Sequence, residues 1–458
     1  MENAFQKIQY NKINEKSSID FLDDSQKKAV NAQKDGARIV IQASAGSGKT
    51  STLIAAITAY RYENINDRIC AITYTRAARA EMEQRLQENG VYDVEVTTIH
   101  VWSRRLLEQL ASRYDFRINL LQEKEIKEIL KDLSDYYKKM KNKKYLKINI
   151  DILYSFIMGN KNMDISDSYR GLLKALESMY IEYKETNMLY DFTDYPKYLY
   201  DVINLYDENI TGIDALFVDE FQDVDPIQLK LFDKIINCNQ KFFIGDEKQS
   251  IFVFRGADGE VFNKLQEREN FEVYKLNRNY RSYQCIIDYA CNVYDVGNCN
   301  REFFISDVMD SAPSGIKCVN GEGGFVIVSN EVEGKIKKIT GRRTENMAAK
   351  EFKQEFEDFY DSKPMILCRS NKQVKEITSL GYTNVTTIHQ AKGLEYDNVI
   401  VADMLIDDKE ELNIAYVALT RAKKKLMILS FGDLCFYLRN LKKKKSDNNI
   451  FCSSSSLI

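Results

Sequence analysis

Two short segments carry the residue types that handle phosphate. Residues 43–50 read ASAGSGKT and residues 215–223 read ALFVDEFQD. The first comprises Ala43, Ser44, Ala45, Gly46, Ser47, Gly48, Lys49 and Thr50. It follows the apolar run Arg38-Ile39-Val40-Ile41 and leads into Ser51-Thr52-Leu53-Ile54. A strand, a glycine-rich turn and a helix start aim backbone amides and a helix N-terminus at an anion, and Lys49 adds a full positive charge. Thr50 would place its hydroxyl on Mg2+, and Asp219, at the end of the apolar strand Ala215–Val218, would hold the same ion. The pair predicts a chain that binds and hydrolyses a nucleoside triphosphate.

The elements that must position these residues follow from hydrophobic rhythm. Residues 37–107 alternate short apolar runs with helical patterns: Ile39–Ile41, a helix from Gly48, Ile69–Thr73, a helix over Arg76–Gln87, then Val94–Ile99. That alternation predicts a parallel α/β sheet. Residues 108–205 lose the strand rhythm and read as long polar helices. Seven lysines fall within 131–147 against two aspartates, with Tyr136, Tyr137 and Tyr145 interleaved. The α/β rhythm returns at Ala215–Val218 and Lys241–Ile244, and a second α/β unit has strands expected at Gly324–Val328, Met365–Leu367, Val399–Ala402 and Leu426–Leu429. The expected organisation is a first α/β domain over 1–107 and 206–272, a helical insertion over 108–205, a second α/β domain over 273–440, and a disordered tail over 441–458.

Composition excludes several classes. Hydrophobic content of 44% and charged content of 29% are those of a globular protein. No apolar run approaches the ~20 residues needed to cross a bilayer, and the first residues carry no signal-peptide stretch, so no membrane partner and a cytoplasmic location are expected. The nine cysteines contain no CxxC pair and point to neither zinc nor disulfides. A net charge of −3 gives no sign of nucleic acid, although a channel can be locally basic on an acidic protein.

Further segments resemble, in order and wording, the UvrD/Rep/PcrA-type superfamily of DNA helicases. They are LDDSQKKAV (22–30), TYTRAARAEM (73–82), TTIHVWSRRLL (97–107), YDFTDY (190–195), FIGDEKQSIFVFRGAD (243–258), LNRNYRS (276–282), ILCRSN (366–371), TTIHQAKGLEYDNVIV (386–401) and NIAYVALTRAKKKL (413–426). The resemblance implies two RecA-like α/β domains, with ATP and Mg2+ as cofactors and single-stranded DNA or DNA ends as partner. It implies that Glu220 orients the attacking water, that Gln249 senses the γ-phosphate, and that Arg281 and Arg421 act as arginine fingers. Gln26 and Tyr280 would read and stack the adenine, with Glu395 at the ribose and Gly393 also in the ATP site. For DNA it implies stacking by Tyr74 and Phe254 and phosphate contact by Arg255; Phe252 is balanced between stacking and core packing. Thr75, Arg76, Thr98 and Arg369 fall in the same DNA-contact segments. His100 and His389 read as DNA-backbone or interlobe hydrogen-bonding groups rather than satisfied core residues.

The chain also departs from that pattern. Ser51 stands in the nucleotide site where arginine is often found, Ala77 where lysine is common, and Phe254 where tryptophan is usual. Only residues 372–384 separate Asn371 from Val385, so the large accessory domain of full-size helicases is absent. That compact form looks like the helicase-like subunit of the Gabija anti-phage system, which implies a separate nuclease subunit as partner. The expected function is an ATP-dependent 3′→5′ DNA motor. The alternative is a nucleotide-gated sensor of DNA ends that regulates a nuclease without processive movement.

Overall fold

The structure, a computed structural model, describes residues 21–33, 38–143, 145–158, 166–251, 261–266, 271–299, 314–321, 323–330, 335–340, 343–347, 349–402 and 409–429. Phe252, Phe254, Arg255 and the expected tail 441–458 lie outside the described residues. The chain folds as two compact units. Among the described residues the first comprises 21–42, 49–245 and 261–275, and the second 43–48, 246–251 and 276–429. The turn 43–48 and the segment from 246 thus group with the second unit, although their sequence position suggested the first.

In the first unit, β1 (Arg38–Ala43), β2 (Ile69–Thr73), β3 (Val94–Thr98), β4 (Ala215–Val218), β5 (Gln240–Gly245) and β6 (Phe271–Leu276) form one sheet in the order β3-β2-β4-β5-β1-β6. The pairings from β3 through to β1 are all parallel. β2, β4 and β5 are buried along their whole length, which is why they read as continuous apolar runs rather than alternating ones. Helices Lys49–Glu63, Arg76–Glu88 and Ile99–Tyr114 follow β1, β2 and β3. Val40, Val218, Phe221 and Phe243 belong to one core, and Trp102 packs beside Phe232 within it.

The helix Ile99–Tyr114 runs straight through the expected domain boundary at 107/108. Trp102 and Leu107 bury the same helix against the sheet domain, so its apolar side carries it past that point. It stops at Asp115, whose φ of 49° is left-handed. Beyond it, helices Glu123–Met140, Ile150–Ile157 and Asp167–Thr186 close a separate small core of Ile126, Leu130, Leu153, Phe156, Leu173, Leu176 and Tyr180. Lys184 of the last helix ion-pairs with Asp191 at 2.8 Å and Asp194 at 2.5 Å. Asp191 also accepts from the Tyr180 hydroxyl and from Thr193. Burial opposes its carboxylate, but the Lys184 ammonium and the Thr193 donors outweigh that and hold its pKa below the usual range.

In the second unit, β7 (Arg278–Asn279) and β8 (Lys317–Cys318) form a small parallel pair. β9 (Phe325–Asn330), β10 (Lys335–Thr340), β11 (Arg343–Met347), β12 (Met365–Cys368), β13 (Val385–Thr387), β14 (Tyr396–Ala402) and β15 (Ala422–Leu429) form a sheet in the order β11-β10-β9-β15-β14-β12-β13. The five strands from β9 to β13 pair in parallel, while β10 and β11 add an antiparallel edge. Alternate residues serve opposite faces: Val326, Val401 and Ile428 pack with helices Gln284–Cys299 and Lys409–Leu419, whereas Ile327, Ile400 and Met427 pack with Phe352 and Phe356. β12 and β13 are neighbours in register, joined by the helix Asn371–Ser379 alone. The mixed α/β fold with mainly parallel sheets is the class expected from the rhythm.

Candidate nucleotide and nucleic-acid sites

Parallel strands send all their carboxyl ends to one edge of a sheet, and ligands of such sheets bind outside that edge. In the first unit β4 ends there with Asp219 and Glu220. Asp219 is 5% exposed, and its backbone N–H donates to Ile72 O at 2.9 Å. The Thr50 hydroxyl, in the first turn of the helix Lys49–Glu63, lies 3.5 Å from Asp219 Oδ2. Burial, and then the neighbouring Glu220 charge, push the Asp219 carboxyl up to about 7, against the pull of Lys49 and Thr50. A hydroxyl and buried carboxylate oxygens beside a lysine form a hard-oxygen donor set, and a divalent cation would favour the ionised carboxylate there. These residues fit Mg2+.

Glu220 has φ 49° and ψ 42°, a left-handed conformation for a residue with a side chain, at a cost of about 1 kcal/mol or more. The surroundings fix it. Glu220 N–H donates to Asp219 Oδ1 at 2.9 Å, Asp223 N–H donates to Glu220 O at 2.9 Å, and the Gln222 side-chain amide donates to Glu220 Oε2. Gln222 fits because β5 ends in glycine: a Cβ on Gly245 would lie 2.3 Å from Gln222 Oε1. Ser51 accepts from the Arg85 guanidinium at 2.7 Å, so an arginine of the helix Arg76–Glu88 lies against the serine that stands where arginine is often found.

The carboxyl ends of β2 and β3 carry the first-unit DNA candidates. Tyr74 is half-buried and Arg76 is exposed; Thr75 caps the helix Arg76–Glu88 by accepting from Ala78 N–H at 3.1 Å. Thr98 precedes the helix Ile99–Tyr114 without a side-chain capping bond, and His100 is exposed close to Thr193, Asp194 and Asp225. Phe192, part of the YDFTDY segment but given no DNA role from sequence, stands 50% exposed in the one-turn helix Phe192–Asp194. An aromatic side chain inside the polar DFTDY turn was the available signal.

Gln26 is buried and closes the capping box of the helix Asp24–Asn31: its Oε1 accepts from Asp23 N–H at 2.9 Å. The structure uses that oxygen to start a helix.

In the second unit, the turn 43–48 is held by the segment after β6. Ser44 donates from its N–H and its hydroxyl to Leu276 O, at 3.3 and 3.1 Å. Asn279 Nδ2 donates to Ala45 O at 2.5 Å, and Tyr280 N–H donates to Gly46 O at 2.8 Å. Gly46 has φ +68°, and a Cβ there would lie 2.6 Å from Asn279 Nδ2, so only glycine fits. Asn279 Oδ1 also accepts from the backbone N–H of Arg281 and Ser282, at 2.9 and 2.7 Å. This fully buried asparagine links the glycine-rich turn 43–48 to the Arg281 backbone, a role that its sequence context does not announce. Its partner Ala45 is too distant in sequence for spacing to reveal the bond.

Gln249 and Arg421 meet directly. The Arg421 guanidinium donates to Gln249 Oε1 at 3.2 Å, and also to Val417 O, Leu394 O and the Thr420 hydroxyl. Gln249 in turn donates to Asp246 Oδ2 at 2.5 Å, and its carbonyl accepts from Lys392 Nζ at 2.9 Å. Arg281 and Glu395, expected at phosphate and ribose, pair with each other at 2.6 Å. Tyr280 is 37% exposed, with the Arg278 guanidinium 5.8 Å from its ring centroid. Gly393 sits in an open turn at φ +85°. Arg369, expected on DNA, makes a bidentate pair with Glu411, and His389 is half-buried after β13.

Residues 22–270 match the UvrD/REP helicase N-terminal domain, and residues 382–429 match the UvrD-like helicase C-terminal domain. A probable DNA helicase of Mycoplasma pneumoniae is 27% identical over 90% of this chain and 84% of its own length. Gabija protein GajB of Bacillus cereus is 25% identical over 92% of this chain and 98% of its own. A probable DNA helicase II homolog of Mycoplasma capricolum is 30% identical over 70% of this chain, which spans 47% of that relative.

Proposed function

The chain belongs to the UvrD/REP helicase family, and we propose from that premise that it is an ATP-driven motor moving 3′→5′ on single-stranded DNA in the cytoplasm. The observation that carries the reading is the convergence of Thr50, Asp219 and Glu220 at the carboxyl edge of the first sheet. Lys49 and the turn 43–48 hold the phosphates of the nucleotide. Thr50 and Asp219 hold Mg2+, which neutralises charge on the transferring phosphoryl group when bound. The strained backbone of Glu220 and its bond from Gln222 orient the carboxylate that positions the attacking water. Arg421, already bonded to Gln249, couples a γ-phosphate sensor to a cation, and Arg281 supplies a second cation when it leaves Glu395.

Tyr74 and Phe192 offer faces on which bases stack, a sequence-tolerant contact suited to a motor that releases each base in turn. The likeness to GajB along nearly that protein's full length, together with the short β12–β13 connection, supports a role as the helicase-like subunit of an anti-phage complex with a separate nuclease. The test is ATP turnover against strand length. A translocating motor is stimulated more by long single strands than by short ones and strips a probe bound at a strand end. A nucleotide-gated end sensor does neither.

A further inference from the structure

Residues 316–321 lie between the two family matches, which end at 270 and resume at 382, and no motif singled them out. In the second unit they run beside the strand that leads to Tyr280 and Arg281. Arg278 pairs with Lys317 and Asn279 with Cys318 in a parallel ladder. Lys317 N–H donates to Asn277 O at 2.9 Å, and Val319 N–H donates to Asn279 O at 2.8 Å. Gln284 fastens the segment from the other side. Its Oε1 accepts from Cys318 N–H at 2.9 Å, its Nε2 donates to Ile316 O at 2.8 Å, and its backbone N–H donates to Gly321 O at 2.9 Å.

Two side chains of this bracket bear on nucleotide-handling residues. The ladder ends at Asn279 and Cys318, and the bond from Val319 N–H to Asn279 O brings the Val319 backbone alongside the start of the Tyr280 turn. Both side chains are exposed, Val319 by 50%. An exposed aromatic and an exposed branched aliphatic side chain on neighbouring backbone-bonded residues can together offer an apolar surface, and such preorganisation lowers the cost of binding. The platform is tied to the phosphate turn through the bond from Tyr280 N–H to Gly46 O. Asn320 Nδ2 donates to Arg281 O at 3.0 Å, which fixes the backbone that carries the Arg281 guanidinium.

We propose that residues 316–321 form a nucleotide-positioning bracket, in which Val319 extends the platform for the nucleobase and Asn320 positions Arg281. The inference rests on the ATP reading above. It makes Val319 a determinant of how far a nucleoside triphosphate is preferred over a triphosphate that lacks a base.

The test compares kcat/KM for ATP with that for ribose 5′-triphosphate, using the full chain with single-stranded DNA. Val319→Ser should lower the preference for ATP about fivefold, the scale of one lost methylene contact. Asn320→Ala should lower kcat for both substrates and leave their ratio as in the wild type. Thermal unfolding of each variant checks folding; if Val319→Ser does not fold, Val319→Thr, equal in size but polar, should shift the ratio in the same direction. A ratio unchanged in the folded Val319 variant overturns the inference. Loss of turnover in Lys49→Ala keeps the ATP reading standing in that case, whereas a wild-type chain that hydrolyses neither substrate overturns both.

Discussion

Arg421 donates from its guanidinium to Gln249 Oε1 at 3.2 Å and also to two backbone carbonyls and a hydroxyl. A buried arginine so arranged holds the glutamine in one orientation, and any change at one residue is felt at the other. Arg421→Lys keeps the charge but loses the planar fork, so kcat should fall at least about tenfold with a smaller change in nucleotide affinity. Gln249→Ala should do the same. The double mutant should fall short of the product of the two losses, with a coupling of about 0.5–3 kcal/mol. Independent, multiplicative effects in steady-state kinetics would separate the two residues functionally.

The Lys184–Asp191–Asp194 cluster predicts a stability effect away from the chemistry. Lys184→Met leaves the buried Asp191 and the half-buried Asp194 without their cation, which should cost about 3–5 kcal/mol in denaturant unfolding. A loss below about 1 kcal/mol, the scale of an exposed ion pair, would mean that the cluster is solvated in solution.

For DNA, Phe192→Ala and Tyr74→Ala should each raise the single-strand concentration needed for half-maximal ATPase stimulation. A lost base stack is worth about 1–3 kcal/mol, so the shift should be about fivefold or more. Affinity should also fall as salt rises, because phosphate contacts release counterions. Unchanged half-maximal concentrations in both variants would return these aromatics to packing roles.

The β12–β13 connection, one helix over Asn371–Ser379, leaves the second sheet without a large insertion at that point. The purified chain should therefore translocate on single strands yet unwind long blunt duplexes poorly, and a nuclease partner should restore unwinding in a strand-displacement assay. Processive unwinding by the chain alone would remove the inferred need for a partner.

Much of this was legible in sequence because local chemistry dictated it. The run Ile39–Ile41 before a turn with Gly46 and Gly48, and the strand Ala215–Val218 before Asp219, are buried parallel strands whose ends announce themselves. β10 and β11 were not legible. Their sequences, KIKKIT and RTENM, lack a continuous apolar run; β11 is the edge strand, where polar residues are common, and β10 lies between it and β9. Nor could spacing reveal Asn279 on Ala45, Arg85 on Ser51 or Gln222 against Gly245, since each contact joins segments that only the folded chain brings together. Gln26 shows the converse: the motif was legible, but its oxygen is engaged in a helix cap.

Glu220, held in a left-handed turn beside Asp219, is proposed to position the water for ATP hydrolysis. The most direct test measures nucleotide affinity and DNA-stimulated ATP turnover in Glu220→Gln, with Lys49→Ala as comparison. The account predicts that Glu220→Gln binds ATP as tightly as the wild type and turns over about 100-fold more slowly or less, while Lys49→Ala loses binding. Wild-type turnover in Glu220→Gln would contradict it.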